Sequence, residues 1–229
     1  MTALMNYSVR EFRHITNRFL HARGAQRHMV NPVRDVLTFA QARGFDALTE
    51  LERTQYQIDR FDGRIEMRTP TSWSADGQSA YYVAPTIIDL LILRSGAENA
   101  SVTIENIDGA AIFGSLDEYA QVRGLHLEVT AVDDDSVTLA YRAVPRPAAE
   151  VPLEAEGPAV RDALRRGFDA DTEQFWRMFY ASDQALTPDS EVSRNHAGSQ
   201  IYDEHGNVIG EFDEESYTYI RSYADEVAG

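Results

Sequence analysis

Apolar residues at helical spacing open the chain. A stripe of four recurs every three or four positions and predicts an amphipathic helix with one buried side: Val9, Phe12, Ile15 and Phe19. Ser8 and Glu11 have the spacing of a capping box, in which both side chains satisfy free backbone N–H groups at a helix start. A second helix is expected from Asn31-Pro32, with proline in its first turn, to Gly44. Together they predict an N-terminal helical hairpin.

Strand patterns dominate the middle of the chain. Alternating apolar and polar residues predict a hairpin of strands 125–132 and 136–141 around an acidic turn, and residues 101–105 predict a further strand. A second hairpin is expected from strands 56–61 and 64–67. The centre therefore indicates a mostly antiparallel sheet.

Two further segments lie between these strands. The run 85–94 is apolar enough for either a buried helix or a buried strand, and periodicity does not separate the two. Ser115 and Glu118 repeat the capping-box spacing, so a short helix is expected there, closed by Gly124.

The C-terminal third predicts two helices, a long polar loop and a small hairpin. The helices are expected over 158–166 and 172–182, and the hairpin over 199–203 and 208–212. Residues 144–158 are rich in proline, alanine and glutamate and are typical of a linker.

The fold class predicted from these patterns is α+β. The N-terminal helical hairpin and the sheet are expected to form one domain, residues 1–143, followed by the linker 144–158. Residues 159–229 hold the C-terminal helices, the polar loop and the hairpin, either as a second domain or packed with the first as one domain.

Composition excludes several chemistries. The chain has no cysteine, which excludes disulfides, thiol nucleophiles and Cys-ligated metal centres. It also has no lysine, because all 21 basic residues are arginine, and this excludes Schiff-base catalysis and the lysine of phosphate loops. Neither a cofactor nor a metal site is indicated by any motif.

Charge is distributed unevenly. Residues 1–43 hold seven arginines against two acids, a balance of +5, whereas the remainder holds 14 arginines against 35 acids, a balance of -21. The opposite ends are therefore expected to dock, within one chain or between subunits. The net charge of -16 argues against nucleic-acid binding.

No membrane span or secretory signal is recognisable. The longest apolar run, 87–93, is interrupted by Asp89 and is far shorter than a bilayer-spanning helix. The N-terminus lacks a cationic segment followed by an apolar core. We therefore expect a soluble, cytoplasmic protein.

The polar loop 187–198 holds the candidate site residues. Arg194, Asn195 and Ser190 are the predicted ligand-binding residues, because guanidinium groups grip carboxylates and phosphates while amides and hydroxyls add hydrogen bonds. His196 is the predicted general acid or base, with Ser193 beside it. The alternative is a polar connector in which the serines cap turns.

Two other groups of residues have more than one interpretation. His14, His21 and His28 are spaced by seven, which favours a solvated basic face that could dock an anion over a metal site. An aromatic stripe in the last predicted helix favours core or interface packing over a ligand-stacking wall: Phe175, Trp176, Phe179 and Tyr180.

The ends of the chain resemble an uncharacterised bacterial family, a domain of unknown function of similar length. The similar residues are Tyr7-Ser-Val-Arg-Glu11, Ala22-Arg23-Gly24-Ala25, Ala42-Arg43-Gly44, Thr187-Pro188, Ser190, Ser193-Arg194 and Ala197-Gly198. The resemblance implies a shared architecture at both ends and no particular activity.

Two function classes follow from the sequence. The first is a non-catalytic subunit or assembly protein of a bacterial metabolic system, which contacts a protein partner or a second copy through its aromatic stripe and oppositely charged ends. The alternative is an enzyme or binder that acts on a small anionic metabolite, a carboxylate or a phosphate, through the loop Ser193-Arg194-Asn195-His196.

Overall fold

The computed structural model describes residues 4–145, 156–185, 200–202 and 208–211. The helices are α1 Val9–Ala22, α2 Arg27–Ala42, α3 Ala47–Thr54, α4 Ala80–Arg94, α5 Asp117–Gln121, α6 Pro158–Arg166 and α7 Thr172–Asp183. The strands are β1 Leu4–Tyr7, β2 Glu66–Met67, β3 Ser72–Ser74, β4 Ala100–Glu105, β5 Leu125–Val132, β6 Ser136–Ala143, β7 Phe168–Asp171, β8 Gln200–Tyr202 and β9 Val208–Glu211. Short 3-10 helices span Ile58–Arg60 and Ala110–Ser115. The fold class is α+β, as predicted.

The chain forms two compact units, residues 1–185 and 186–229. In the smaller unit, β8 and β9 pair antiparallel, which confirms the predicted C-terminal hairpin. In the larger unit, α6 packs against α2 and α7 packs against α1. The predicted linker 144–158 lies mostly outside the described residues, so its role as a domain boundary stays a prediction.

The N-terminal helical hairpin is confirmed, with one boundary corrected. At the start of α1, Ser8 Oγ accepts a hydrogen bond from the Glu11 N–H at 3.1 Å, and Glu11 Oε2 accepts one from the Ser8 N–H at 2.6 Å. Helix α2 begins at Arg27 rather than at Asn31, and Pro32 lies well inside it. Burial of Met29 and Val30 stabilises the earlier turn, while Pro32 removes only one helical hydrogen bond.

The predicted hairpin over 56–67 is wrong. The 3-10 helix Ile58–Arg60 follows α3 and lies within this region, and only Glu66–Met67 is a strand. Ile58 and Phe61 are both buried and are three positions apart, which suits a helical turn better than a strand. The sequence pattern resembled alternation because these apolar residues are embedded among polar ones.

The larger sheet has strand order β2-β3-β4-β6-β5. Only the β3–β4 pair is parallel, so the sheet is mostly antiparallel, and the predicted β5–β6 hairpin is confirmed. The undecided run 85–94 belongs to helix α4, which packs against α2 and against β5 and β6. Because α4 is covered on several sides, it is apolar almost all round.

The capping box expected at Ser115 does not form. Ser115 ends a 3-10 helix, and α5 starts after Leu116 without a side-chain cap. Glu118 instead accepts a hydrogen bond from the Ala159 N–H at 2.8 Å, so it caps the start of α6.

A two-stranded antiparallel ribbon, β1 with β7, was not predicted. It pairs the start of the chain with residues 168–171, and Tyr7 lies opposite Phe168. The rings of Tyr7, Phe12, Phe168 and Phe175 form an aromatic cluster beneath it, with centroids 5.1 to 6.3 Å apart. In the described part of the chain, no helix is both long and apolar enough to cross a bilayer.

Candidate functional site

The predicted loop site lies outside the described residues. This holds for all five of its members, Ser190, Ser193, Arg194, Asn195 and His196. Their roles as anion ligands and as an acid–base group therefore stay predictions.

The three histidines do not converge. His14 and His21 lie on α1 and His28 lies on α2, and all three side chains are exposed. Within the described ranges, no group of three or more histidine or acidic side chains is arranged to hold a metal ion. The solvated-face interpretation fits these exposures.

The aromatic stripe of α7 has a buried side and an exposed side. Phe175 is buried and Phe179 packs against the core, whereas Trp176 is 42% exposed and Tyr180 is 65% exposed. The exposed rings stack on each other with centroids 5.9 Å apart, and Trp176 meets Phe175 and Phe179 edge-on, each at 5.5 Å. We call Trp176 and Tyr180 the α7 aromatic face.

Local sequence explains why α7 presents this face. Asp171 caps the helix, because its Oδ1 accepts a hydrogen bond from the Gln174 N–H at 2.9 Å. Burial of Phe175 and Met178 then directs the remaining side of the helix outward. Because Trp176 and Tyr180 are four positions apart, they share that outward side.

Side chains from α1 and α3 fix α7 along its length. The Arg177 guanidinium donates to both carboxylate oxygens of Glu52, at 2.8 and 3.2 Å. These hydrogen bonds lower the pKa of Glu52. At the other end of α7, Arg18 pairs with Asp183 at 3.4 Å, and Arg23 donates to the Gln184 side chain at 2.9 Å. The exposed rings therefore stand on an anchored helix.

The basic N-terminal segment pairs with acids from later in the larger unit. Besides Arg18, Arg13 pairs with Glu156 at 2.5 Å, and Arg43 lies 3.3 Å from Asp117. The excess of arginine in residues 1–43 thus serves, in part, to hold helices together. The acidic segment 212–229 lies outside the described residues, so docking of the extreme ends stays a prediction.

A cluster of charged side chains joins α3 to the loop after β4. Arg53 donates to Glu50 Oε1 at 2.6 Å and to Asp108 Oδ2 at 2.8 Å, and Ser79 donates to Glu50 at 3.3 Å. Gly109 follows with a φ of +73°, and a Cβ there would lie 2.6 Å from Glu50 Oε1. The close approach of Glu50 requires a glycine at this position. These carboxylates are engaged in holding the loop, which is a structural role.

The sequence contains a local signal for part of this arrangement. Glu50 and Arg53 are three positions apart on one helix, and such pairs are detectable by spacing. The partners Asp108 and Ser79 are distant in sequence and become neighbours only in the fold.

Comparison of the chain with protein-family models, with curated proteins and with solved structures finds no match. The resemblance of the chain ends to a bacterial domain of unknown function therefore stays a prediction.

Proposed function

We propose that this protein is a non-catalytic assembly protein that pairs with a second copy of itself through α7. The observation that carries the proposal is the α7 aromatic face, in which a tryptophan and a tyrosine remain exposed while stacked on each other. Tryptophan and tyrosine are enriched among the residues that dominate the energy of protein interfaces.

The anchoring of α7 supports this function. A side chain held in one orientation before binding loses less conformational entropy when a partner arrives. Trp176 is held between the rings of Phe175 and Phe179, and the helix itself is tied to Glu52 through Arg177. The aromatic face is therefore organised in advance for an interface.

A second copy suits the aromatic face, because a twofold interface uses the same patch on both subunits. In an arrangement of antiparallel α7 helices centred on this face, Trp176 of each copy lies opposite Tyr180 of the other. The exposed rings of the two copies then cover each other, while Arg177 keeps its hydrogen bonds to Glu52 within its own chain.

Two rings form the centre of an interface rather than all of it. A specific interface buries about 800 Å² on each partner, so neighbouring side chains must contribute the remainder. The energy is expected to concentrate on Trp176, since truncation of a central tryptophan costs at least about 2 kcal/mol.

Sedimentation equilibrium of the full chain tests the proposal. The wild type should show a concentration-dependent dimer mass, and Trp176→Ala should weaken dimerisation about thirtyfold or more. Leu93→Ala is the matched control, because Leu93 is 82% exposed but lies in the last turn of α4 and not on α7. The control should keep the wild-type dimer.

Tryptophan fluorescence gives a second measurement. The chain has two tryptophans, and Trp73 is fully buried, so acrylamide quenching reports mainly on Trp176. Quenching should decrease as the dimer forms. A monomeric wild type overturns the proposal. If Trp176 is then accessible to acrylamide, no partner covers the α7 aromatic face. If Trp176 is protected in the monomer, another part of the same chain covers that face.

A further inference from the structure

An open cleft of about 680 Å³ lies between the first half of α2, the segment 62–67 and the middle of α4. Sites for small organic ligands have volumes of roughly 300–1,000 Å³. Each wall contributes an apolar side chain, namely Met29, Ile65 and Leu90. Carboxylates come from two of the walls, Asp62 and Asp89. The cleft thus combines an apolar lining with negative charge.

Gln78 holds the wall formed by segment 62–67. Its side chain is only 7% exposed, and its Oε1 accepts hydrogen bonds from the Asp62 N–H at 2.9 Å and the Gly63 N–H at 2.8 Å. Its Nε2 donates to the Arg64 carbonyl at 3.0 Å. One buried amide therefore satisfies three backbone groups of this wall.

The wall also fits closely against α2. Gly63 has a φ of +71°, and a Cβ at this position would lie 2.8 Å from Met29 Cε. The start of α2 is tied to α4, because the Gln26 N–H donates to the Tyr82 hydroxyl at 3.1 Å. All three walls are connected by these contacts, so the cleft exists before a ligand binds.

Proline lines the cleft on both helices. Pro32 in α2 and Pro85 in α4 carry no N–H, so the carbonyls of His28 and Tyr81 lose their usual helical donors. In a helix, the carbonyl four residues before a proline lies next to the proline ring. His28 lines the cleft, so Pro32 leaves an acceptor on the α2 wall, whereas Tyr81 is fully buried and its carbonyl adds none.

The charges of the cleft favour a cation. The Arg64 guanidinium is 88% exposed and lies 3.6 Å from Asp62, so these two groups largely balance each other. Among the described residues, Asp89 has neither an ion pair nor a hydrogen bond from another side chain. His28 also lines the cleft, and its side chain is exposed. Asp89 is left as the free carboxylate of the site.

We propose that this cleft binds an aliphatic organic cation. An ammonium group of the ligand pairs with the Asp89 carboxylate, and its methylene chain packs on Met29, Ile65 and Leu90. A second ammonium group can reach acceptors on the other two walls, namely Asp62 in segment 62–67 and the carbonyl of His28 in α2. The site is independent of the dimer proposed above, because none of its residues belongs to α7.

Calorimetric titration of the full chain with hexamethylenediamine tests this proposal. Adipate has the same number of carbons with opposite charges, and hexanediol has the same chain without charge, so the three probes separate charge from shape. We expect binding of the diamine only. Asp89→Asn should weaken that binding about tenfold or more, since an ionic hydrogen bond is lost.

Asp134→Asn is the matched control. It removes the same single negative charge, from the exposed turn between β5 and β6. It should leave diamine binding unchanged. Equal weakening by both variants would mean general attraction to an acidic protein, and preferential binding of adipate or absence of diamine binding would also overturn the proposal. Because Asp89 is exposed, its substitution is not expected to disturb folding.

Discussion

Helices α4 and α7 are both anchored by polar side chains, yet the anchors differ in kind. Around α4 they are neutral and largely buried: Gln78 holds segment 62–64, and the Tyr81 hydroxyl meets Thr54 Oγ1 at 2.8 Å. Around α7 they are half-exposed ion pairs, such as Arg177–Glu52 and Arg18–Asp183.

The comparison separates two kinds of stabilising interaction, buried hydrogen bonds and exposed ion pairs. Buried hydrogen bonds are little affected by salt or acid, and removing one partner leaves the other unsatisfied. Exposed ion pairs contribute little each and are screened by salt. The cleft of α4 is therefore expected to stay ordered under conditions that loosen α7.

Loss of Gln78 should give the largest effect. In Gln78→Leu, the N–H groups of Asp62 and Gly63 and the carbonyl of Arg64 lose their partner together. We expect a destabilisation of about 3 kcal/mol, measured by urea unfolding, together with loss of diamine binding. Gln57→Leu, at an exposed glutamine, is the control and should be nearly neutral. Unchanged stability of Gln78→Leu would remove the distinction between α4 and α7.

Two tyrosines allow the comparison to be tested with the same substitution. Thr54 Oγ1 donates its proton to the Glu50 carbonyl, so the Tyr81 hydroxyl is the donor in its hydrogen bond to Thr54. Because Tyr81→Phe removes this hydrogen bond, we expect it to destabilise the protein by about 1 kcal/mol. The Tyr7 hydroxyl, beneath the ribbon beside α7, is buried without a partner among the described residues. Burial also raises its pKa.

Tyr7→Phe should consequently stabilise the protein by about 1 kcal/mol, because the unsatisfied hydroxyl is removed and the ring is kept. Thermal unfolding of Tyr81→Phe and Tyr7→Phe measures whether each substitution lowers or raises the stability of the protein. Destabilisation by Tyr7→Phe would show that the hydroxyl has a partner in solution, and the α7 side would then be as well satisfied as the α4 side.

These anchors also show what the sequence could predict. The capping box at Ser8 and the β5–β6 hairpin were predictable because their signals lie within a few residues of each other. The β1–β7 ribbon was not, because Leu4 and Asp171 are far apart in sequence and become neighbours only in the fold. The strand prediction within 56–67 failed at 62–64 for a related reason: Gln78, distant in sequence, holds these residues by hydrogen bonds to their backbone.

The candidate surfaces were predictable to different degrees. The aromatic stripe of α7 followed from helical spacing, but its division into buried Phe175 and exposed Trp176 depends on how α7 packs against α1. The cleft was not predicted at all. In the sequence its carboxylate, Asp89, is distinguished only as an interruption of an apolar run, and the walls of the cleft come from three separate segments.

The smallest effect is expected at the Glu52–Arg177 pair. The contribution of this pair to stability depends on pH, whereas that of the neutral hydrogen bonds around α4 does not. Hydrogen bonds from Arg177 hold the pKa of Glu52 below its ordinary value of 4.5 in the folded protein. The unfolded chain therefore takes up this proton first as the pH falls. The contribution of Glu52 is present in full above pH 4.5 and is lost as the pH falls through the folded value.

Glu52→Gln should accordingly flatten the decline of the melting temperature below pH 4.5, and the difference from wild type should shrink at high salt. Glu11, whose pKa is lowered by its hydrogen bond from the Ser8 N–H, keeps part of the acid sensitivity in this variant. Glu128→Gln, on the exposed side of β5, should leave the wild-type profile unchanged. If Glu52→Gln follows the wild-type curve, acid does not act through this pair. Since the hydrogen bonds of Gln78 and Tyr81 do not titrate in acid, the destabilisation by Gln78→Leu and by Tyr81→Phe should persist at a pH where the ion pair of α7 is already lost.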